Sequence, residues 1–252
     1  MNPERPRARF LGVPIDLLDM AGTVRAVERH VDEVRAGCHL GVNAANLIMA
    51  HDDPAYRDDL EAADLVTADG QSVVWGARLF GLRVPERVTG IDLMEALLER
   101  ARSRDWSVYL LGARAATVAA LAARLETDGV RVAGWRDGYF AADEDGSVTA
   151  SVLDSDATLL FVGMPSPRKE RFVVHQARAA GVPFSIGVGG SFDVLAGELR
   201  RAPGAMQRLG VEWLFRLLQE PRRLFRRYAV TNTRFVLLLI REASRRRLRT
   251  GT

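Results

Sequence analysis

The sequence has few of the residues that build disulfide frameworks, zinc sites and membrane spans. It contains one cysteine, Cys38, and four histidines without zinc-ligand spacing, so we predict neither a disulfide scaffold nor a metal centre of that kind. The longest apolar run near the end, 235–240, has six residues, far fewer than the roughly 20 of a membrane span. No apolar stretch follows the basic N-terminal residues, so we predict no signal peptide. The single cysteine fits a reducing cytoplasm.

Lysine is also nearly absent, since Lys169 is the only lysine among 35 basic residues. The 252 residues are 48% hydrophobic and 27% charged, which is ordinary for a globular protein and excludes disordered and fibrous classes. The charge is uneven, because residues 201–252 hold 13 arginines against three glutamates, a net charge of +10, whereas the first 200 residues carry −7. An acidic body with a basic tail predicts a polyanionic partner, namely nucleic acid, phosphate or anionic lipid.

Short apolar runs rich in β-formers alternate with helical patterns through the first 200 residues. This alternation predicts an α/β fold, a Rossmann-like and mostly parallel sheet with helices on both faces. We predict strands at 39–43, 65–68, 107–111, 130–134, 158–163 and 183–188, and helices at 23–36, 54–62, 91–103, 115–125 and 167–180. Beyond 201–204 only helices are predicted, at 206–219, 221–229 and 232–247. We therefore divide the chain into a body, 1–200, and a helical C-terminal appendage, 201–252.

Glycines follow four of the predicted strands. Ligands of open α/β sheets lie beyond the carboxyl ends of the strands, where glycine allows close backbone approach and helix N-termini favour phosphate. The alternative is that glycine merely ends strands, as it does in any such fold. The loop Gly187–Gly190 reads G-V-G-G rather than G-x-G-x-x-G, and no G-K-[ST] sequence occurs. A nucleotide- or NAD-binding oxidoreductase therefore remains only as an alternative.

Asp69 is the most suggestive carboxylate. It directly follows the predicted strand 65–68 and precedes Gly70, so it faces the predicted cleft and could act as a general base. The same pattern suits a helix N-cap, and the sequence leaves both interpretations open. The D-S-D sequence at 154–156 precedes a predicted strand, so we interpret it as a turn rather than a metal site. We predict no metal, which leaves arginine, lysine and backbone amides to bind an anionic leaving group.

The basic tail mixes arginine with leucine and aromatic residues at 212–218 and 220–227. Such a mixture suits a surface that meets phosphates at an apolar boundary. An ordinary helical cap with a solvated, charged face is the alternative interpretation. A non-enzymatic polyanion-binding module is a further alternative function, although the few aromatic residues beside the arginines argue against nucleic acid.

A series of motifs in one order is similar to the WecG/TagA/CpsF family of bacterial glycosyltransferases over residues 10–230. The motifs include N-A at 43–44, A-D-G at 68–70, R-V-T-G-I-D at 87–92, D-G-Y-F at 137–140, V-G-M-P at 162–165, G-V-G-G at 187–190 and G-V-E-W at 210–213. Each motif alone is weak, but a dozen in the right order make the resemblance specific.

The resemblance implies an inverting, metal-independent enzyme without a cofactor. It would move a sugar from a UDP-sugar to a polyprenyl (undecaprenyl) diphosphate-linked saccharide, in the synthesis of cell-surface polysaccharide or teichoic acid. The implied location is the cytoplasm, peripherally on the anionic inner face of the plasma membrane, and a homo-oligomer is compatible with the family. Nucleic acid is not an implied partner.

The resemblance also implies roles for individual residues. Asp69 matches the catalytic base, and Asn43 matches a residue of the donor-sugar pocket. Arginines of the tail match those that bind the acceptor's diphosphate, namely Arg216, Arg223 and Arg226. The remaining donor-binding residues are expected to be Arg87, Gly112, Tyr139, Gly163, Met164, Lys169, Glu170, Gly187, Gly189 and Gly190.

Two positions depart from the family's usual pattern. Gly41 stands where members often have threonine, so any donor contact through that hydroxyl is lost. Lys169 replaces the glutamine of P-K-Q-E, and its ammonium could bind the donor's diphosphate or an anionic group of the sugar. The alternative is an ion pair with Glu170 or Asp193. Both departures argue against the family's usual N-acetylmannosamine donor and leave glucose, glucuronic acid and an N-acetylated uronic acid open.

Overall fold

The structure, a computed structural model, describes residues 6–250 except for the side chains of residues 179, 208, 223, 227 and 246–250. An antiparallel hairpin precedes a six-stranded parallel sheet with the strand order β4-β3-β8-β7-β5-β6. The strands are β1 (Arg7–Phe10), β2 (Val13–Asp16), β3 (Gly37–Val42), β4 (Leu65–Ala68), β5 (Ser107–Gly112), β6 (Arg131–Arg136), β7 (Leu159–Gly163) and β8 (Phe184–Gly187). The predicted α/β fold with a parallel sheet is confirmed.

Helices connect and follow these strands. They are α1 (Met20–Asp32), α2 (Ala44–Asp52), α3 (Pro54–Ala62), α4 (Gln71–Leu79), α5 (Gly90–Arg104), α6 (Ala115–Thr127), α7 (Asp145–Asp154), α8 (Arg168–Arg171), α9 (Ala177–Ala179), α10 (Ser191–Leu195), α11 (Gly204–Arg208), α12 (Glu212–Gln219) and α13 (Pro221–Thr250). A π-helical turn, Phe172–Gln176, joins α8 to α9, so the predicted helix 167–180 is not uniformly α-helical.

Helices cover both faces of the sheet, as predicted. One core cluster joins strand residues such as Leu40 and Leu160 to α2, α3, α4 and α7. The other joins Leu110 and Phe161 to α1, α5 and α6. Because both faces of the central strands are covered, these strands are buried along their length and mostly apolar, with buried polar exceptions such as His39 and Ser185.

Two predicted helix boundaries in the C-terminal part are wrong. The helix predicted at 206–219 is interrupted, because Gly210 adopts φ +70° between α11 and α12, a conformation that costs glycine little. The helices predicted at 221–229 and 232–247 form the single helix α13. No glycine or proline occurs after Pro221 to interrupt it before residue 250.

The middle of α13 packs on the body of the protein. Phe235 is only 4% exposed and belongs to the core cluster that includes α2 and α4. Arg234 donates to both carboxylate oxygens of Asp52, at 2.8 and 2.7 Å. The exposed side of α13 carries Val230, Val236 and Ile240 among other residues. No helix in the described range 6–250 is long and apolar enough to cross a membrane.

The N-terminal hairpin is bonded to the region around β4. Arg7 forms an ion pair with Asp16 at 2.8 Å and donates to the carbonyl oxygen of Asp64 at 2.7 Å. Asp16 in turn accepts from the backbone N–H of Val66 at 2.7 Å. The hairpin is therefore fixed to β4 by both side chains.

Candidate functional site

The residues that follow β3 and β4 meet at the carboxyl edge of the sheet. Val42 and Ala68 end these strands as register partners, and the backbone N–H of Asp69 donates to the carbonyl oxygen of Val42 at 2.9 Å. Gly70 lies so close to Asn43 that a Cβ at Gly70 would be 3.1 Å from the Asn43 Cβ. The predicted base and the predicted donor-pocket residue are thus neighbours.

The Asp69 carboxylate lies in an enclosed place next to the first turn of α5. A Cβ at Gly41 would lie 3.1 Å from the Asp69 Cβ, and the backbone N–H of Gly90 lies near enough to the carboxylate to lower its pKa. Burial raises the pKa of Asp69 above its ordinary value of 3.8, while the charges of Lys169 and Arg87 and the Gly90 N–H partly offset this. A carboxylate with a raised pKa is a stronger general base than an exposed one.

Asp69 does not cap the helix that follows it. The N-cap of α4 is Gly70, and no side chain bonds to the first turn. Asn43, in contrast, caps α2, because its Oδ1 accepts from the N–H groups of Ala45 and Asn46 at 2.9 and 3.3 Å. Asn46 completes a capping box by accepting from the Asn43 N–H at 3.0 Å. These bonds use the Asn43 oxygen, so its side-chain N–H groups are what Asn43 would offer a ligand.

Lys169 and Glu170 are both buried under the end of β8. Lys169 Nζ lies 3.1 Å from Glu170 Oε1, so the ammonium forms the predicted ion pair with Glu170. A Cβ at Gly187 would lie 3.1 Å from the Lys169 Cδ. Ser166 Oγ donates to the same Glu170 oxygen at 2.8 Å and accepts from Asn46 Nδ2 at 3.4 Å. A polar network therefore runs from the Lys169–Glu170 pair to the cap of α2.

The ends of β5 and β7 form a second part of the edge. Gly112 has φ +142°, and a Cβ there would overlap the carbonyl oxygen of Gly163, so only glycine fits. Met164 is buried next to them, with its Cγ 3.2 Å from where a Cβ at Gly138 would lie. Tyr139 follows and is 76% exposed. These predicted donor residues come together, with the tyrosine ring open to solvent.

The loop after β8 completes the edge and contacts the C-terminal segment. Gly187 ends β8, Gly189 has φ +55° in open space, and Gly190 precedes α10. A Cβ at Gly190 would lie 2.5 Å from Arg216 Nη2. Arg216, predicted to bind the acceptor, thus lies directly on a loop predicted to bind the donor.

A second contact joins α12 to the edge, and the sequence does not indicate it. Arg87 forms an ion pair with Glu212 at 3.3 Å and also donates to the carbonyl oxygen of Gln207 at 3.3 Å. Glu212 and Arg216 are four residues apart, so they share one face of α12. The spacing of Glu212 and Arg216 indicates that both side chains lie on one face of α12, but it does not indicate that they contact Arg87 and Gly190.

The remaining predicted positions are two arginines of α13 and the D-S-D sequence at 154–156. Arg226 is exposed on α13, and the side chain of Arg223 lies outside the described part of the structure. Asp154 ends α7 and Asp156 precedes β7, at the edge opposite Asp69, in agreement with a turn. Among the described residues, no cluster of three or more histidine, cysteine, aspartate or glutamate side chains could hold a metal ion.

A comparison with protein families identifies the family of this chain. A model of the glycosyl transferase WecG/TagA/CpsF family matches residues 8–249. The match includes all eight strands except the first residue of β1, together with the residues gathered at the carboxyl edge. The chain therefore belongs to the glycosyl transferase WecG/TagA/CpsF family.

Proposed function

We propose that this glycosyltransferase is an inverting, metal-independent enzyme that moves a sugar from a UDP-sugar to a polyprenyl-diphosphate-linked saccharide. Membership of the family supports glycosyl transfer. The observation that carries the mechanism is the enclosed carboxylate of Asp69, which lies at the edge where β3, β4 and β8 end. Ligands of parallel α/β sheets bind at this edge.

The reaction follows from the position of that carboxylate. Asp69 accepts the proton of an acceptor hydroxyl while the hydroxyl oxygen attacks the anomeric carbon of the donor sugar. The bond from that carbon to the diphosphate oxygen breaks, and UDP leaves with the electron pair. Because the attack comes from the face opposite the leaving group, the configuration at the anomeric carbon inverts. Asn43, next to Asp69, would orient the donor sugar through its side-chain N–H groups.

Cations and backbone amides at the same edge suit the leaving diphosphate. Arg87 lies within range of Asp69, and the guanidinium of Arg216, which we assign to the acceptor's diphosphate, lies next to the donor loop at Gly190. Positive charges and N–H groups placed where negative charge develops stabilise a transition state strongly. The loops at Gly112, Gly163 and Gly187–Gly190 would bind the diphosphate, and the exposed ring of Tyr139 would contact the nucleotide.

The C-terminal segment supports a lipid-linked acceptor. Leu218 and Phe225 are exposed, and so are Arg222 and Arg226, which are close to them in sequence. Apolar side chains with flanking arginines favour the surface of an anionic membrane. We therefore assign residues 1–200 to donor binding and catalysis, and residues 201–252 to the acceptor's diphosphate and to peripheral binding at the inner face of the plasma membrane. The pathway would be synthesis of a cell-surface polysaccharide or teichoic acid.

The decisive experiment replaces Asp69 by asparagine. We expect D69N to fold and to bind UDP as the wild type does, without magnesium, while turnover falls by about 10²–10⁴-fold, the usual contribution of a general base. D154N, which changes an aspartate at the opposite edge of the sheet, is the matched control and should keep full turnover. Near-normal turnover of D69N would refute the role of Asp69. Thermal stabilisation by NAD but not by UDP would refute the choice of donor.

A further inference from the structure

The side chain of Arg87 is already occupied by groups of the C-terminal segment. Its Nη1 lies 3.3 Å from one carboxylate oxygen of Glu212, and its Nη2 lies 3.4 Å from the other and 3.3 Å from the Gln207 carbonyl oxygen. The two side chains are 15% and 23% exposed. An anion that enters the site would therefore meet a guanidinium whose N–H groups already bond to a carboxylate.

The same pair lies next to the proposed reaction centre. The charges of Arg87 and Glu212 both act on the Asp69 carboxylate. Val88 follows Arg87 and donates its backbone N–H to the Ala68 carbonyl oxygen at 2.9 Å, which fixes this segment to the end of β4. The contact between Arg87 and Glu212 thus spans the space between the end of β4 and α12.

On the other side, α12 contacts the end of β8 through Arg216 at Gly190. One face of α12 is therefore attached to the body at two points. The Glu212 carboxylate contacts Arg87 at one end of the cleft, and the Arg216 guanidinium contacts Gly190 at the other. A diphosphate is attracted by both arginines and repelled by Glu212. Its binding would keep the Arg216 contact favourable and would make the Glu212 contact unfavourable.

We propose that Glu212 is a gating residue for the donor: in the empty site it holds Arg87, and the diphosphate of the donor has to replace the Glu212 carboxylate on the Arg87 guanidinium. This inference rests on the proposed function, because it takes a nucleoside diphosphate as the ligand. When the donor's diphosphate takes the place of the Glu212 carboxylate on Arg87, the contact between Glu212 and Arg87 is broken. This contact of α12 is therefore released only when the donor site is filled. Donor binding is thereby coupled to the helix that carries the acceptor-binding Arg216.

The experiment measures binding of UDP by calorimetry, without magnesium, to the wild type, E212Q, R87Q and the double variant. E212Q keeps the shape of the side chain and removes the competing charge, so we expect it to bind UDP about three- to fivefold more tightly, the size of a partly exposed ion pair. E220Q removes the same charge from the residue that follows α12 and should bind UDP as the wild type does. In the R87Q background, the change at Glu212 should give less than a twofold gain.

Each result bears on one proposal or on both. Binding by E212Q that is no tighter than binding by E220Q would overturn the gate. An equal gain in the R87Q background would also overturn it, because the effect would then be a general field effect and not competition for Arg87. A folded wild type that binds no UDP would overturn the proposed function together with the gate, whereas UDP binding without a gain in E212Q would overturn the gate alone.

Discussion

Arg216 and Gly190 are in such close contact that a Cβ at position 190 would lie 2.5 Å from the Arg216 Nη2. The pair joins α12 to the loop that follows β8. Arg216 was expected to bind the acceptor's diphosphate, and the glycine loop the donor's diphosphate. Their contact is consistent with a reaction in which two phosphorylated substrates meet at one point, and it can be perturbed without touching Asp69.

The first prediction concerns this contact. In G190A the new methyl group meets the end of a flexible side chain, so Arg216 should move while the fold is kept, since Gly190 has an ordinary φ of −80°. Loss of a charge-assisted bond to phosphate costs about 1.5–3 kcal/mol, so kcat/KM on the lipid-linked acceptor should fall at least tenfold. The double variant G190A/R216Q should be no worse than R216Q, because both changes remove the same interaction.

The control for this prediction is G146A, because a Cβ at Gly146 would meet open space. G146A should keep the wild-type kcat/KM. Independent, additive losses in G190A and R216Q would show that Gly190 does not act through Arg216.

The second prediction tests how α13 is attached. F235A removes a ring that is 4% exposed and packed in the core, so the free energy of unfolding should decrease by about 3–5 kcal/mol. F225A changes the same residue type on the same helix, but this ring is 67% exposed, so stability should change by less than about 0.5 kcal/mol. Denaturant unfolding of both variants measures the difference. Equal stability of F235A and F225A would mean that α13 does not pack on the body.

F225A should instead reduce binding to vesicles that contain anionic lipid. The proposed membrane surface includes this ring, and each buried apolar group contributes to interfacial binding. Unchanged sedimentation of F225A with such vesicles would argue against that surface, while leaving the stability comparison intact.

The third prediction concerns pH. Burial raises the pKa of Asp69 and the positive charge of Lys169 lowers it. A base works only when ionised, so kcat/KM should fall as the pH decreases through the pKa of Asp69. In K169Q the lowering charge is lost, so this decrease should occur at higher pH than in the wild type.

The pH at which kcat/KM falls, the acidic limb of the profile, does not depend on the amount of folded enzyme. The limb of K169Q can therefore be compared with that of the wild type even if the variant is less stable. R131Q removes a positive charge at the start of β6, at the opposite edge of the sheet, and should leave the limb where it is. A limb at the wild-type position or lower in K169Q would contradict the electrostatic role of Lys169.

The sheet and its edge could be predicted because the strands are buried on both faces and read as apolar runs. Asp69 and Asn43 follow such runs directly, so their proximity follows from parallel pairing of β3 with β4. The helix that Asn43 caps, α2, is not predicted from the sequence, because it too is buried on more than one side. α2 packs between the sheet and α13 and is apolar around much of its circumference, with Leu47 and Ile48 both buried, so it shows no clear amphipathic stripe.

Contacts distant in sequence could not be predicted. Arg87 and Glu212 are separated by 125 positions, and no local pattern indicates that they pair. The hairpin β1–β2 was also missed, because Pro14 within β2 argues against a strand in the interior of a sheet. The structure accommodates this proline because β1 and β2 form a separate two-stranded sheet.

That hairpin has a consequence for how the protein avoids self-association. β4 is an edge strand, and unpaired main-chain groups on such a strand can recruit a strand from another molecule. Here the Val66 N–H is bonded to Asp16 and the Asp64 carbonyl oxygen to Arg7, so these groups cannot pair with an incoming strand. Polymerisation through this side of the sheet is therefore disfavoured, and loss of either side chain would leave the edge more prone to aggregation.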